Sequence, residues 1–387
     1  MISTIIIKPT KMCNAECTYC SAPPEVNGGP KWTVDDFKRV FDNIHTHLTE
    51  QAVFIWHGGE PMLMSPDFYY QTYEYARSIM PEIKFAMQTN ILGYDTKRWK
   101  DVFENVMGSR LSTSFDPDEK YREYKGSTSL YTRIFYDRLD KMLDDGFHPL
   151  VIGTYTEETS FLAESMYDKA LEKGDKFFHV RYNYRYPAGR DFGKGEIISP
   201  ETYGKMLLKL YNRWIKELPH FVITPLDQML KKTVLIESNR CPWTNACGGR
   251  FFGIEPNGDT YNCSEFADVD DNQWCFGNAF TMNAEQLLKS RAAQAMRRRR
   301  VDLPSDCLTC RHFQQCEGGC MRDSVLYGRG LGGKFYYCQS WKMVFDRIKE
   351  SIATGEADGA ILKYGLDPEH VRKTVDFGNY KKVPLIA

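Results

Sequence analysis

Cys13, Cys17 and Cys20 stand at Cys-x3-Cys-x2-Cys, about six residues after the apolar run Ile5, Ile6 and Ile7. Three thiolates so close together can grip one metal cluster. On a [4Fe–4S] cluster they would leave one iron open to a further ligand. A zinc knot or a disulfide cluster is the rival reading of this stretch. The isoleucines are β-branched and bounded by Lys8 and Pro9, which reads as a short strand. The cysteines then lie on the loop at the strand's C-terminal end, where parallel α/β folds place their chemistry.

The elements that must hold this loop alternate. Strands are expected near residues 52–56, 84–88, 110–114, 150–155 and 178–184, and helices near 33–46, 65–79, 97–104, 130–145 and 160–173. Thr33 with Asp36 forms a capping-box start, and Ser65-Pro66 places Pro at the favoured first helical position. Strands separated by helices predict a parallel sheet with right-handed crossovers. About six such units before residue 190 fit an open, partial (β/α)6 barrel better than a closed barrel of eight. A helix is expected over 201–217, a bridging stretch over 218–239, one helix over 284–299 and another to about residue 352. The four arginines at 297–300 then fall at a helix C-terminus, where basic residues suit the dipole; a solvated end or a patch for an acidic peptide or redox partner is expected there.

The chain has 387 residues, a net charge of −1 and twelve cysteines. The balance of charge provides no global field for nucleic acid. No signal peptide stands at the N-terminus and no apolar run is long enough to span a membrane, so a reducing cytoplasm is expected. Disulfide scaffolds are usually small, which favours thiolates that hold metal.

The Cys13–Cys17–Cys20 spacing, with Tyr19 before the last Cys, resembles the radical S-adenosylmethionine (SAM) superfamily. His57-Gly58-Gly59-Glu60-Pro61 ends the second expected strand and matches the family's Gly-Gly-Glu, which binds the SAM ammonium. The two glycines are expected to let backbone approach the ligand. Gln88-Thr89-Asn90 and Ser114-Phe115-Asp116-Pro117 end the next two strands and match the pattern in place. The resemblance implies SAM contacts at Tyr19, His57, Gly58, Gly59, Glu60, Gln88, Asn90 and Ser114, and leaves Asp116 as a ligand contact, a catalytic group or a turn cap. Arg181, Tyr182, Tyr184 and Arg185, with Pro187-Ala188-Gly189-Arg190 after them, are either site residues or a solvated face.

A second cysteine set begins with Cys241, Cys247, Gly258 and Cys263, continues through Cys307, Cys310, Cys316 and Cys320, and ends at Cys338. It resembles the SPASM auxiliary-cluster domain of peptide and protein maturases. The resemblance implies one [4Fe–4S] cluster on Cys241, Cys247, Cys263 and Cys320, and another on Cys307, Cys310, Cys316 and Cys338. Cys275 is then a plain thiol or a stand-in for Cys241. Domains are expected at 1–190 (radical SAM core), 191–240 (bridge), 241–340 (SPASM) and 341–387 (helix and tail).

These resemblances imply a peptide maturase with three [4Fe–4S] clusters and SAM. A 5′-deoxyadenosyl radical would abstract hydrogen from a ribosomally made peptide, giving an oxidative cross-link or a rearrangement. An external one-electron donor of flavodoxin or ferredoxin type is implied. Because the chain starts almost at its first strand, a separate leader-recognition protein or an exposed strand edge is expected to receive the peptide. The Cys17-to-Pro24 wording resembles maturases of Nif-type leader peptides, some of which excise tyramine and leave an α-keto-β-amino acid. Sulfatase maturases place Asp directly after the ligand matching Cys263; here Ser264 stands there, followed by Glu265, so that base is missing unless Glu265 substitutes. An iron–sulfur electron carrier or a zinc module is the non-enzymatic alternative.

Overall fold

The computed structural model describes residues 1–22, 29–187, 197–234, 241–244, 247–268 and 272–375. Ala188, Gly189 and Arg190 lie outside them, as do Pro23 and Pro24. The chain folds into two compact units. The first comprises residues 1–152, 187–195 and 246–298; the second comprises 153–186, 196–245 and 299–387.

In the first unit, β1 (Ile2–Ile7), β2 (Leu48–Trp56), β3 (Lys84–Gln88) and β4 (Leu111–Ser114) pair in parallel in chain order. The first half of β5 (Leu150–Tyr155) continues the series. Helices fill the crossovers, as the alternating pattern required. Thr33 and Asp36 form the capping box of Val34–Ile44, and Ser65 caps Pro66–Ile79. Phe37 and Phe41 from the first helix pack on Phe54 of β2, and Phe37 also meets Trp56 and Phe85. This aromatic core leaves the strand C-termini to polar residues.

The cysteine-rich segment contributes to the same sheet. After β6 (His179–Tyr184) and β7 (Val222–Thr224), strand β8 (Phe251–Ile254) pairs in parallel with β1 on the side away from β2. β9 (Asp259–Tyr261) returns antiparallel to β8, and β10 (Gly277–Asn278) pairs with β9. Gly258 opens this hairpin at φ +88°, where a Cβ would lie 2.6 Å from Asn278 Oδ1. The glycine of the cysteine motif is therefore a turn residue.

In the second unit β6 pairs in parallel with β7, a strand absent from the sequence-based expectation for this bridge. Helices Pro200–Glu217 and Cys338–Ala353 lie together, with Gly204 against Met343 and Ser340. The helix expected over 284–299 is two, Ala284–Leu288 and Arg291–Arg298. Of the four arginines at this helix end, Arg298 and Arg300 are exposed, as a solvated end predicts, while Arg297 and Arg299 are engaged by backbone. In the first unit Arg297 donates to the Leu288 carbonyl at 2.6 Å. In the second, Arg299 is buried and donates to the carbonyls of Gly318 at 2.9 Å and Gly333 at 3.1 Å.

Candidate functional site

The loop carrying Cys13, Cys17 and Cys20 is fixed along both sides by backbone. On one side Gly59 N–H donates to Thr10 O (3.0 Å) and Glu60 N–H to Met12 O (2.8 Å). On the other, Glu16 N–H donates to Glu123 O and Thr18 N–H to Tyr121 O, both at 2.9 Å. A Cβ on Gly59 would sit 2.1 Å from Met12 O, and one on Gly58, at φ +113°, 2.5 Å from Thr10 O. The backbone these glycines admit includes the chain's own cysteine loop.

The three thiols are half-buried. Burial pushes Cys13 up to about 12, with Glu60 adding to the shift and the Ala15 N–H opposing it. Burial also pushes Cys20 up to about 11, with the Cys17 thiolate adding to it. Cys17 is raised by burial against the opposing charge of Arg122. Left alone, these groups stay protonated. A shared cationic centre would hold all three as thiolates, so the donor set fits an iron–sulfur cluster.

Glu60 stands behind this loop, almost fully buried. Its Oε1 accepts the Thr89 hydroxyl (2.6 Å) and Met62 N–H (2.8 Å), and Oε2 accepts Asn90 N–H (2.7 Å). Burial nonetheless raises its carboxyl to about 6. The Asn90 amide donates to Asn14 at 2.7 Å and approaches Cys13 Sγ at 3.8 Å. The Gln88-Thr89-Asn90 turn therefore acts by aiming Glu60 and the loop. Thr89, read from sequence only as part of its tripeptide, and Asn14, between the first two cysteines, carry roles that the sequence did not assign. His57 is held neutral, lowered to about 4 by burial and then by Lys8, with Gln88 bonded to its ring. Ser114 is half-buried at the end of β4, and its carbonyl accepts the Tyr131 hydroxyl at 3.3 Å.

Tyr19 and Asp116 meet. The phenol donates to Asp116, whose carboxylate also accepts Arg122 Nε at 2.7 Å, and Arg122 lies 5.4 Å from the Tyr19 ring centroid. Asp116 is 3% exposed, so the structure makes it one end of a buried ion pair. Glu265 is half-buried on the short helix Ser264–Ala267 that starts after Cys263.

One cluster was missed from sequence. Lys8 reaches Glu255 at 2.8 Å and Asp268 at 2.7 Å, and Lys11 reaches Glu255 at 3.1 Å.

Of the remaining cysteines, Cys247 and Cys263 belong to the first unit and Cys241 and Cys320 to the second. Asn262 donates to Cys247 Sγ at 3.9 Å, and Gly253 lets the Cys263–Ser264 backbone lie against β8. Burial and then Asp323 raise the Cys320 thiol, with Cys241 adding to it. Cys307, Cys310, Cys316 and Cys338 line one partly open pocket. Four thiols around a void suit a polynuclear centre. Among the described residues, no three Cys, His, Asp or Glu side chains are arranged to hold a single ion. All twelve cysteines lie among the described residues, and none forms a disulfide. Cys275 donates to Gly277 O at 3.6 Å.

Residues 7–156 match the family described as the Radical SAM superfamily, and residues 243–311 match the SPASM iron-sulfur cluster-binding domain. The chain is 26% identical over 369 residues to the cysteine-type anaerobic sulfatase-maturating enzyme of Clostridium perfringens, covering 89% of this chain and 95% of that protein. It is 23% identical over 398 residues to the serine-type enzyme of Bacteroides thetaiotaomicron, covering 93% and 94%. Among solved structures, anSMEcpe with bound AdoMet superposes with a TM-score of 0.79 at 20% identity, covering 96% of this chain and 98% of that one. Streptococcus suis SuiB bound to S-adenosylmethionine gives 0.62 at 15% identity, covering 88% and 77%. These structural likenesses carry the fold.

Proposed function

The chain belongs to the radical SAM superfamily and carries a SPASM iron–sulfur domain, and from that premise we propose that it is a peptide or protein maturase working by hydrogen abstraction. The observation that carries the reading is Glu60, buried behind the cysteine loop and aimed by Thr89 and Asn90. A carboxylate so held is a partner for the SAM ammonium. Cys13, Cys17 and Cys20 would hold the first [4Fe–4S] cluster; Cys241, Cys247, Cys263 and Cys320 a second; Cys307, Cys310, Cys316 and Cys338 a third. When bound, cluster and SAM supply one-electron cleavage of the sulfonium to a 5′-deoxyadenosyl radical. The chain's own residues fix the loop, seat the ammonium and exclude water. Fully ligated auxiliary clusters favour an electron-carrying role, which makes the net reaction an oxidation.

The substrate is a ribosomally made peptide or a protein, and an external flavodoxin- or ferredoxin-type donor provides the electron. A separate leader-recognition protein and a reducing cytoplasm complete the setting. Among the described residues no helix is long and apolar enough to cross a membrane.

A second reading, formylglycine formation on a sulfatase, is favoured by the relatives' names. Ser264 stands where those enzymes place Asp, so Glu265 would have to serve as the base. Tyramine excision is the third outcome. Anaerobic reconstitution should load about twelve irons per chain and release 5′-deoxyadenosine from SAM under reduction. Replacing Cys13, Cys17 and Cys20 by Ala should abolish release and leave about eight irons. Colourless protein holding zinc would refute the reading. Mass spectrometry of a co-expressed peptide separates loss of two hydrogens from loss of a tyramine-sized fragment.

A further inference from the structure

The cavity lined by Cys307, Cys310, Cys316 and Cys338 is also lined by two ammonium-bearing side chains, Lys334 and Lys342. Lys334 precedes Cys338 by four residues and Lys342 follows it by four. Cys338 opens the helix Cys338–Ala353, so Lys342 lies one turn along on the same face. The partial positive end of that 16-residue helix lies at the Cys338 position. Lys334 is about one-third exposed, and its ammonium is 3.4 Å from Asp306. The two cationic side chains and the helix end thus converge on one thiol-lined space.

We propose that Lys334 and Lys342 set the reduction potential of the centre held by Cys307, Cys310, Cys316 and Cys338, stabilising its reduced form. The inference rests on the assignment of a cluster to these four cysteines. The couple is the oxidised centre plus one electron giving the reduced centre, with no bond made or broken. Four thiolates give a [4Fe–4S] centre a net negative charge, which grows on reduction. Two nearby cations therefore favour the reduced form. The proposal makes this centre suited to take the electron that a substrate radical surrenders. Lys334 and Lys342 act through the cysteine-held centre and are positioning residues, not catalytic ones.

The test is a potentiometric titration, followed by EPR, of full-length reconstituted protein and of its Lys334→Gln, Lys342→Gln and doubly substituted forms. One redox wave should move to lower potential. In the double variant, the reduced-to-oxidised ratio at a fixed potential should fall about tenfold, or about 59 mV for a one-electron couple. Lys334→Arg with Lys342→Arg should restore the wave. Raising the salt concentration on the unsubstituted protein should move the same wave downward by screening the lysines, a readout independent of variant loading. Waves that stay in place in the fully iron-loaded double variant, and under salt, overturn the inference. Unchanged iron content after Cys307→Ala instead overturns the cluster assignment beneath it.

Discussion

Lys8 Nζ lies 2.7 Å from Asp268 Oδ1, and both side chains are more than nine-tenths buried. Lys8 comes five residues before Cys13, and Asp268 five after Cys263. One ion pair thus ties the strand that launches the cysteine loop to the segment following an auxiliary ligand. Lys8→Met would strand Asp268 without its cation and leave Glu255 only Lys11. Breaking a buried pair from one side costs about 3–5 kcal/mol. Denaturant unfolding of the anaerobic protein should read a loss of that size. A loss below about 1 kcal/mol would show that the carboxylates find water or other partners.

The two glycines after His57 make a sharper prediction. Gly59→Ala would drive a Cβ into Met12 O, and Met12 adjoins Cys13. Iron should drop by about one third, from about twelve to about eight per chain, while the auxiliary centres persist. Gly93→Ala is the control, since a Cβ there meets nothing within 4 Å. Equal iron loss in both variants would count against the loop-approach account.

Glu60 predicts a pH dependence. Its carboxyl rises from 4.5 to about 6 in the fold because burial outweighs the Thr89, Asn90 and Met62 hydrogen bonds. As pH falls through 6, the native state takes up this proton before the unfolded chain does, so Glu60 adds stability on acidification and subtracts it above pH 6. An ammonium beside the carboxylate has the opposite preference and binds the ionised form. SAM affinity should therefore climb as pH rises through 6 and level off above about 7. Glu60→Gln should bind SAM at least about tenfold more weakly and with a flat profile. Calorimetric titration at several pH values checks both; a sloping profile in the variant would assign the dependence to another group.

Asp116 predicts separation of stability from chemistry. Asp116→Ala would remove the carboxylate to which both Arg122 and the Tyr19 phenol donate. The expected cost is about 3 kcal/mol, with faster proteolysis at residues 16–18 and 121–123. Asp116→Asn keeps a hydrogen-bond acceptor for both partners and should retain most SAM cleavage. A variant that folds and loads iron fully but cleaves no SAM would instead place Asp116 in the chemistry.

Local signals made much of the first unit legible. β3 and β5 have the bounds expected from their apolar runs, and the capping box at Thr33 is present. What stayed hidden depends on long-range partners. β7 is three residues long, and β8 is four residues whose parallel neighbour lies some 250 positions earlier. Lys8 reads as a routine surface lysine until Glu255 and Asp268 surround it. The division at Ser290 was by contrast a local signal passed over: its Oγ accepts the Ala293 N–H at 3.2 Å and caps the second helix. Gly58 and Gly59 were readable as a motif, but not the backbone they admit, because that backbone arrives through tertiary packing.

The pairing of β1 with β8 bears on how the chain is made. During synthesis Ile2–Ile7 obtains β2 as a neighbour early, but its other edge pairs only once Phe251–Ile254 has emerged. At ordinary elongation rates that wait is roughly 10–50 s. Throughout it an isoleucine-rich strand offers an open edge, the kind of surface on which nascent chains stick to one another. Soluble yield should thus be governed by translation speed and by chaperones that shield the first strand, well before any iron is needed.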